Sequence, residues 1–397
     1  PPRRGMRAPL AALAALSTAL AAADVGHALG RWRLPVAAPY ATAFTARVGV
    51  EHLARNVYTL GELAEFRRAA EDDPMAGAPG LFAALQGRDL IIAYVESYGR
   101  SSFENPLYAG THPATLAGIE ARLTEAGLAT RSGWLTAPMV GGQSWLAHAS
   151  VASGLWISDQ GRYRAMLASP RRTLHHFAQE AGLRTVAIKP AHVFDWPEGD
   201  YFGYDAIYNA ADLGYGGRPF NWATMPDQFT LKAFDRLERL RPDRPPLVAQ
   251  IALVSSHAPF LPVPPVLDWD DIGDGSVFNA WADDGDPPEV VWRDPDRVRE
   301  KFRLAIDYSL RAVGSYAERL ADGSALLVVL GDHEPAPFIS GVSGFDVPVH
   351  VIGPADLVDR FAALDWRPGL IPDPATPALR MDAMRDALLR ALSGASS

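Results

Sequence analysis

The 397-residue sequence predicts an α/β fold: a largely parallel central sheet with helices on both faces, preceded by an N-terminal apolar helix. Three observations carry that prediction. Short, strongly apolar runs alternate with helix-length segments from about residue 80 onward. Those runs are continuous rather than alternating, as strands covered on both faces require. Proline, serine and glycine punctuate the stretches between them.

The elements run in order along the chain. Asp89-Leu90-Ile91-Ile92-Ala93-Tyr94-Val95 reads as a buried strand that ends at Glu96. Pro113 opens a helix that Gly127 closes, and Ser169-Pro170 offers an N-cap and first-turn proline for a second helix ended by Gly182. Residues 184–188 and 247–253 are further strands, 295–320 a long helix, 326–330 a very apolar strand, 347–352 another strand and 381–392 a closing helix. Residues 261–294, rich in Asp, Pro and Gly, read as a long surface loop. The parts are then a membrane anchor or signal-like helix at 1–30, a helical connecting region at 31–80 and a catalytic domain at 81–397.

The first part bears on location. Arg3, Arg4 and Arg7 precede an apolar stretch at 8–23 that is interrupted only by Ser17 and Thr18. It is shorter than the ~20 residues of a spanning helix, although 25–29 extend it past Asp24. It reads as a membrane helix, as a cleaved signal sequence starting near Met6, or as a buried amphipathic helix. The first two keep the arginines cytoplasmic and send the catalytic domain to the periplasm or exterior.

Composition narrows the chemistry. Thirty-seven Lys and Arg against forty-six Asp and Glu leave a formal charge of −9, without the basic stripe that a nucleic-acid binder needs. The absence of cysteine excludes disulfides, thiolate metal sites and a cysteine nucleophile.

Polar side chains close three of the most apolar strands: Glu96 after 91–95, His257 after 251–254, and Asp332-His333 after 326–330. In open α/β sheets the site lies beyond the carboxyl ends of the strands, so residues far apart in sequence can converge there. Gly331-Asp332-His333 sets a carboxylate beside an imidazole, a pair suited to a divalent metal, but equally a turn cap with a polar neighbour. Glu96 at the end of a buried strand needs a positive partner, either a metal or an arginine such as Arg100. In Val140-Gly141-Gly142-Gln143-Ser144, two glycines let the backbone approach a ligand, and Ser144 stands where a helix can begin. An N-cap serine fits the same pattern. His148, four residues on, shares the helix face of Ser144. His175 and His176 read as helix-surface residues. Trp145, Trp156 and Trp222 are candidates for a lipid or glycan groove or for core packing.

The order of strand-Glu96, Gly-rich Ser144, Ser256-His257-Ala258-Pro259-Phe260 and Gly331-Asp332-His333 resembles the lipoteichoic acid synthase and phosphoglycerol transferase branch of the sulfatase-like alkaline phosphatase superfamily. Phe202-Gly203-Tyr204-Asp205 and Ala305-Ile306-Asp307-Tyr308-Ser309 add to the likeness, which runs over 87–354. The resemblance implies that Glu96, Asp332 and His333, with Ser144, hold one divalent ion, Mn²⁺ or Zn²⁺. It places Ser144 at the nucleophile position, usually threonine in the family, and His257 at a histidine that contacts the phosphate or leaving group. Trp196 matches a substrate-contacting tryptophan, and Arg100 and His148 stand as further substrate-binding candidates. The arginine expected shortly after Trp196 is replaced by Pro197-Glu198-Gly199, a departure from the glycerol-phosphate pattern. The implied activity is transfer of a phosphoglycerol-type group from a phospholipid-type donor to a glycan or lipid acceptor at the membrane. A phosphoethanolamine transferase, a phosphodiesterase, a sulfatase-type hydrolase and a non-catalytic glycan- or lipid-binding member are the alternatives. Against the sulfatase, Ser144-Trp145-Leu146-Ala147-His148 lacks the arginine of a formylglycine signal.

Overall fold

The computed structural model describes residues 12, 15–20, 22–23, 26 and 31, and then 61–394 apart from 221, 222 and 261. The chain forms two compact units, Pro1–Arg68 and Ala69–Ser397. In the first, the described residues at 15–20 and 61–68 are helical. Among the described residues no helix is long and apolar enough to cross a membrane, so the apolar helix expected at the N-terminus is not supported as a span; most of 1–30 lies outside the described residues. Trp222 lies outside them too.

The second unit is built on a nine-stranded sheet: β1 Asp89–Val95, β2 Ala129–Thr136, β3 Arg184–Lys189, β4 Ala206–Asn209, β5 Leu247–Leu253, β6 Ala325–Gly331, β7 Asp346–Gly353, β8 Arg367–Pro368 and β9 Leu379–Arg380. The strand order is β4-β3-β5-β1-β6-β7-β2-β8, with β9 paired to β2. From β4 to β6 every pairing is parallel. Beyond β6 the sheet turns antiparallel through β7, β2 and β8. The sheet is therefore largely parallel, in five of its eight strand pairings, with an antiparallel end, because the segment between β6 and β7 holds only the short helix Pro337–Ser340 and doubles back where a parallel return needs a crossover.

Six helices bear on the site or its support: α1 His112–Glu125, α2 Ser144–Ser153, α3 Leu174–Glu180, α4 Asp227–Phe234, α5 Pro295–Glu318 and α6 Met384–Leu392. Strand side chains alternate between faces. On β1, Ile91, Ala93 and Val95 join the cluster that includes Ile119 of α1 and Phe302 and Ile306 of α5. Tyr94 points the other way and packs against His148 of α2, the rings tilted at 45° with centroids 4.0 Å apart. Both faces of the sheet are thus covered, and every residue of β1 and β6 is buried.

Helix α5 starts at Asp294, whose carboxylate accepts from the backbone N–H groups of Asp296 and Arg297. Gly314 on α5 lets α1 close in, since a Cβ there would stand 2.7 Å from the Ile119 side chain. The second predicted helix begins later than Ser169-Pro170 implies. Thr173 is its cap, accepting from the His176 N–H while His176 reciprocates. His175, expected on the surface, is buried with its ring against Tyr204.

Candidate active and metal-binding site

The last residues of three neighbouring strands are in register: Val95 pairs with Leu253 of β5 on one side and with Gly331 of β6 on the other. The residues just beyond the three strands therefore emerge side by side. After β1 comes Glu96, after β6 come Asp332 and His333, and after β5 the turn that carries His257. Gly331 is required there, because a Cβ would stand 1.8 Å from the carbonyl oxygen of Tyr98.

Ligand atoms of Glu96, Asp332 and His333 all lie within 4.8 Å of one another, and all three residues are buried. His333 Nε2 stands 3.2 Å from Glu96 Oε1 and 3.9 Å from Asp332 Oδ1. Its other nitrogen, Nδ1, donates to the carbonyl oxygen of Glu334 at 2.8 Å, which turns Nε2 toward the carboxylates. Asp332 Oδ1 accepts from the backbone N–H of Ser97 at 2.8 Å and of His333 at 2.7 Å.

The charge balance is uneven. Burial, followed by the facing charge of Glu96, pushes Asp332 up to about 8. Burial opposes the ionised form of Glu96 as well, but the hydrogen bond and charge of His333 hold it well below the ordinary carboxylate range. Burial disfavours imidazolium at His333, yet Asp332 and Glu96 together raise it to about 10. Two buried carboxylates share one imidazole, a donor set with room for more positive charge. Two oxygen donors and an imidazole suit a divalent ion of the Mn²⁺ or Zn²⁺ kind.

Ser144 is delivered to this group from the side. Gly141 and Gly142 have positive φ, as does Gln143 at +65°, and this tight path ends at the first residue of α2. The Gly141 N–H donates to the Glu334 carbonyl oxygen at 2.8 Å, which anchors the loop beside His333. Ser144 Oγ donates to Glu96 Oε2 at 2.8 Å and lies 3.4 Å from His333 Nε2. A cavity of about 500 Å³ opens over these groups, and Glu96, Ser144, His148, Lys189, Trp196 and His257 are in its wall. His257 Nδ1 donates to the carbonyl oxygen of Ala258 at 2.6 Å.

No protein-family profile matches the chain, and no curated protein matches it. Solved structures do. An alkaline phosphatase superfamily protein from Vibrio parahaemolyticus aligns with a TM-score of 0.51 at 16% identity over 84% of this chain and 75% of its own. The fold is that of the alkaline phosphatase superfamily. The lipoteichoic acid synthase LtaP from Listeria monocytogenes aligns with a TM-score of 0.48 at 15% identity over 73% of this chain and 70% of that one. For the phosphoglycerol transferase GacH from Streptococcus pyogenes, in complex with sn-glycerol-1-phosphate, the values are 0.47, 12%, 86% and 82%.

Within this alkaline phosphatase-type fold the structure brings together Glu96, Ser144, Asp332 and His333, with His257, His148 and Trp196 around the adjoining cavity. Arg100 is not among them. Its guanidinium bonds to Glu104 at 2.5 Å and Asp346 at 3.2 Å and lies over the Trp134 ring, so it serves a local ion pair rather than the cavity. Trp145 is half exposed at the cavity wall, whereas Trp156 sits under Arg380. One wall residue escapes the sequence reading: Lys189, the last residue of β3. It carries the same signal that marks Glu96, a charged side chain closing an apolar strand.

Proposed function

We propose that this chain is a metal-dependent phosphoryl-ester transferase or hydrolase that works through a phospho-serine intermediate. In its transferase form it moves a phosphoglycerol-type group from a lipid donor to a glycan or lipid acceptor outside the cytoplasm. The observation that carries the reading is Ser144 Oγ, hydrogen-bonded at 2.8 Å to a carboxylate of the buried Glu96, Asp332 and His333 group and facing a cavity large enough for a head group. Glu96, Asp332, His333 and Ser144 would hold one Mn²⁺ or Zn²⁺, which when bound lowers the pKa of the serine hydroxyl and neutralises charge on phosphoryl oxygens.

The chain's own residues account for the rest. Ser144 Oγ, oriented by its hydrogen bond to Glu96, forms a bond to phosphorus as the bond from phosphorus to the first alcohol's oxygen breaks, and its proton is lost to solvent in the cavity. His257, at the cavity wall, protonates the departing alkoxide from Nε2. In the second half the same nitrogen takes the proton of the incoming hydroxyl, which displaces the serine. Water in that role gives hydrolysis, and a sugar or lipid hydroxyl gives transfer. The arginine-flanked apolar stretch at 8–23 supports action outside the cytoplasm.

The test is metal content together with cleavage of a chromogenic phosphodiester. Ser144→Ala keeps stoichiometric metal and loses turnover by on the order of 10³-fold or more, while Asp332→Ala loses both. Retained turnover in Ser144→Ala overturns the covalent route. A protein that takes up no metal and cleaves nothing is instead a binding member of the fold.

A further inference from the structure

Lys189 is 5% exposed, at the end of β3 in the cavity wall. Its Nζ donates to His148 Nδ1 at 3.3 Å and sits 5.2 Å from the centre of the Trp196 ring. Neither contact neutralises its charge, and among the described residues no carboxylate forms an ion pair with it. Glu198 also reaches the wall, but it is exposed to solvent and makes no ion pair with Lys189. Accepting from Lys189 at Nδ1 makes His148 a neutral ring with its proton on Nε2. That nitrogen is buried with no hydrogen-bond partner.

A buried ammonium without a counter-charge is costly, and folded proteins keep one where something else supplies the charge. The burial is visible in its acidity, since desolvation lowers Lys189 to about 8. Beside it, an ethanolamine head group would set ammonium against ammonium. A glycerol head group would offer hydroxyls and leave the charge uncompensated. Only an anion answers the uncompensated ammonium in the cavity wall.

Resting on the metal-dependent phosphoryl-ester chemistry proposed above, and replacing its glycerol head group, we propose that the alcohol carried on the transferred phosphate bears an anionic group of its own, a carboxylate or a second phosphate, which is held by Lys189 with His148 beside it and Trp196 against its carbon skeleton. Lys189 is then the residue that selects the substrate. The cation is placed for the head group, on the β3 side of the cavity, while the Glu96, Asp332 and His333 group and Ser144 serve the reacting phosphorus.

The experiment compares three p-nitrophenyl phosphodiesters that differ only in the second alcohol: glycerate (anionic), glycerol (neutral) and ethanolamine (cationic). With metal-loaded protein, kcat/KM for the glycerate ester exceeds that for glycerol about tenfold, and that for ethanolamine by more. Lys189→Met brings the three within about twofold of one another, and Lys189→Arg restores the order. A wild-type preference for glycerol or ethanolamine overturns the proposal. So does an equal loss on all three esters in Lys189→Met, which would put the ammonium on the reacting phosphate. A binding arm separates this inference from the catalytic one. Titrating 3-phosphoglycerate, glycerol 3-phosphate and phosphoethanolamine into Ser144→Ala protein reads the selection without turnover. Tighter binding of 3-phosphoglycerate that is lost in Ser144→Ala/Lys189→Met sustains the subsite even if no ester is cleaved. Equal binding of all three overturns it even if esters are cleaved.

Discussion

At the scale of single residues, Lys189 makes a prediction that needs no substrate. Its folded value of about 8 lies below the 10.5 of an ordinary lysine, so folding disfavours the charged form. That penalty is present in full below pH 8 and disappears as pH rises past 10.5, where both states are neutral. By linkage it amounts to ~3 kcal/mol at neutral pH. Lys189→Met is therefore expected to unfold at higher denaturant than the wild type at pH 7, with the difference narrowing toward pH 10.5, in urea titrations at both pH values.

At the scale of elements, the site depends on how strands end. Gly331→Ala would drive a Cβ into the Tyr98 carbonyl, so β6 would have to part from β1 just where Asp332 begins. The expected result is a loss of metal binding well beyond the usual effect of adding one methyl group, together with destabilisation of ~2 kcal/mol or more; metal content and urea midpoint of the purified variant check it. The same strand ends explain how much of the site is legible in the sequence. β1, β5 and β6 are apolar along their length because both faces are covered, so their termini and the polar residues after them stand out. β2 does not. Its sequence Ala129-Thr130-Arg131-Ser132-Gly133-Trp134-Leu135-Thr136 is polar in its first half, and Gly133 is there to make room for the Trp366 ring, a contact from far along the chain. Lys189 carries the strand-end signal too, but a strand-end lysine commonly reaches solvent, and only its burial and its contact with His148 of α2 show that this one does not. The cap expected at Ser169 fails for a local reason as well: Ser-Pro imitates a helix start, and the reciprocal Thr173–His176 bonds that decide the matter involve a histidine at a place where glutamate is the familiar signal.

At the scale of the whole molecule, the second compact unit joins its two ends. Arg385 of α6, fully buried, holds Asp73 through two hydrogen bonds of 2.7 and 3.0 Å and also reaches the Arg172 carbonyl oxygen. Burial works against the charge on Asp73, but Arg385 outweighs it and lowers the carboxyl below its ordinary value. The pair's contribution is thus present above about pH 4 and fades as pH falls through the lowered value. Arg385→Met is expected to cost ~3 kcal/mol, read from urea unfolding at neutral pH. A bound ion acts on the same global equilibrium. At a free concentration a hundred times its Kd, Mn²⁺ or Zn²⁺ should stabilise the unit by about 2.7 kcal/mol and raise its melting temperature by several degrees. Calorimetry with and without metal checks this, and Asp332→Ala should show no such rise.

The Glu334 carbonyl has a further consequence. Its oxygen accepts both the imidazole proton of His333 and the amide proton of Gly141, each at 2.8 Å. One oxygen atom thereby sets the distance between the Glu96, Asp332 and His333 group and the loop that leads to Ser144, and the Gly141 amide becomes a built-in gauge of their alignment. Its hydrogen exchange should be slow in the intact protein and accelerate in His333→Ala, marking the moment the two halves of the site lose their common reference point.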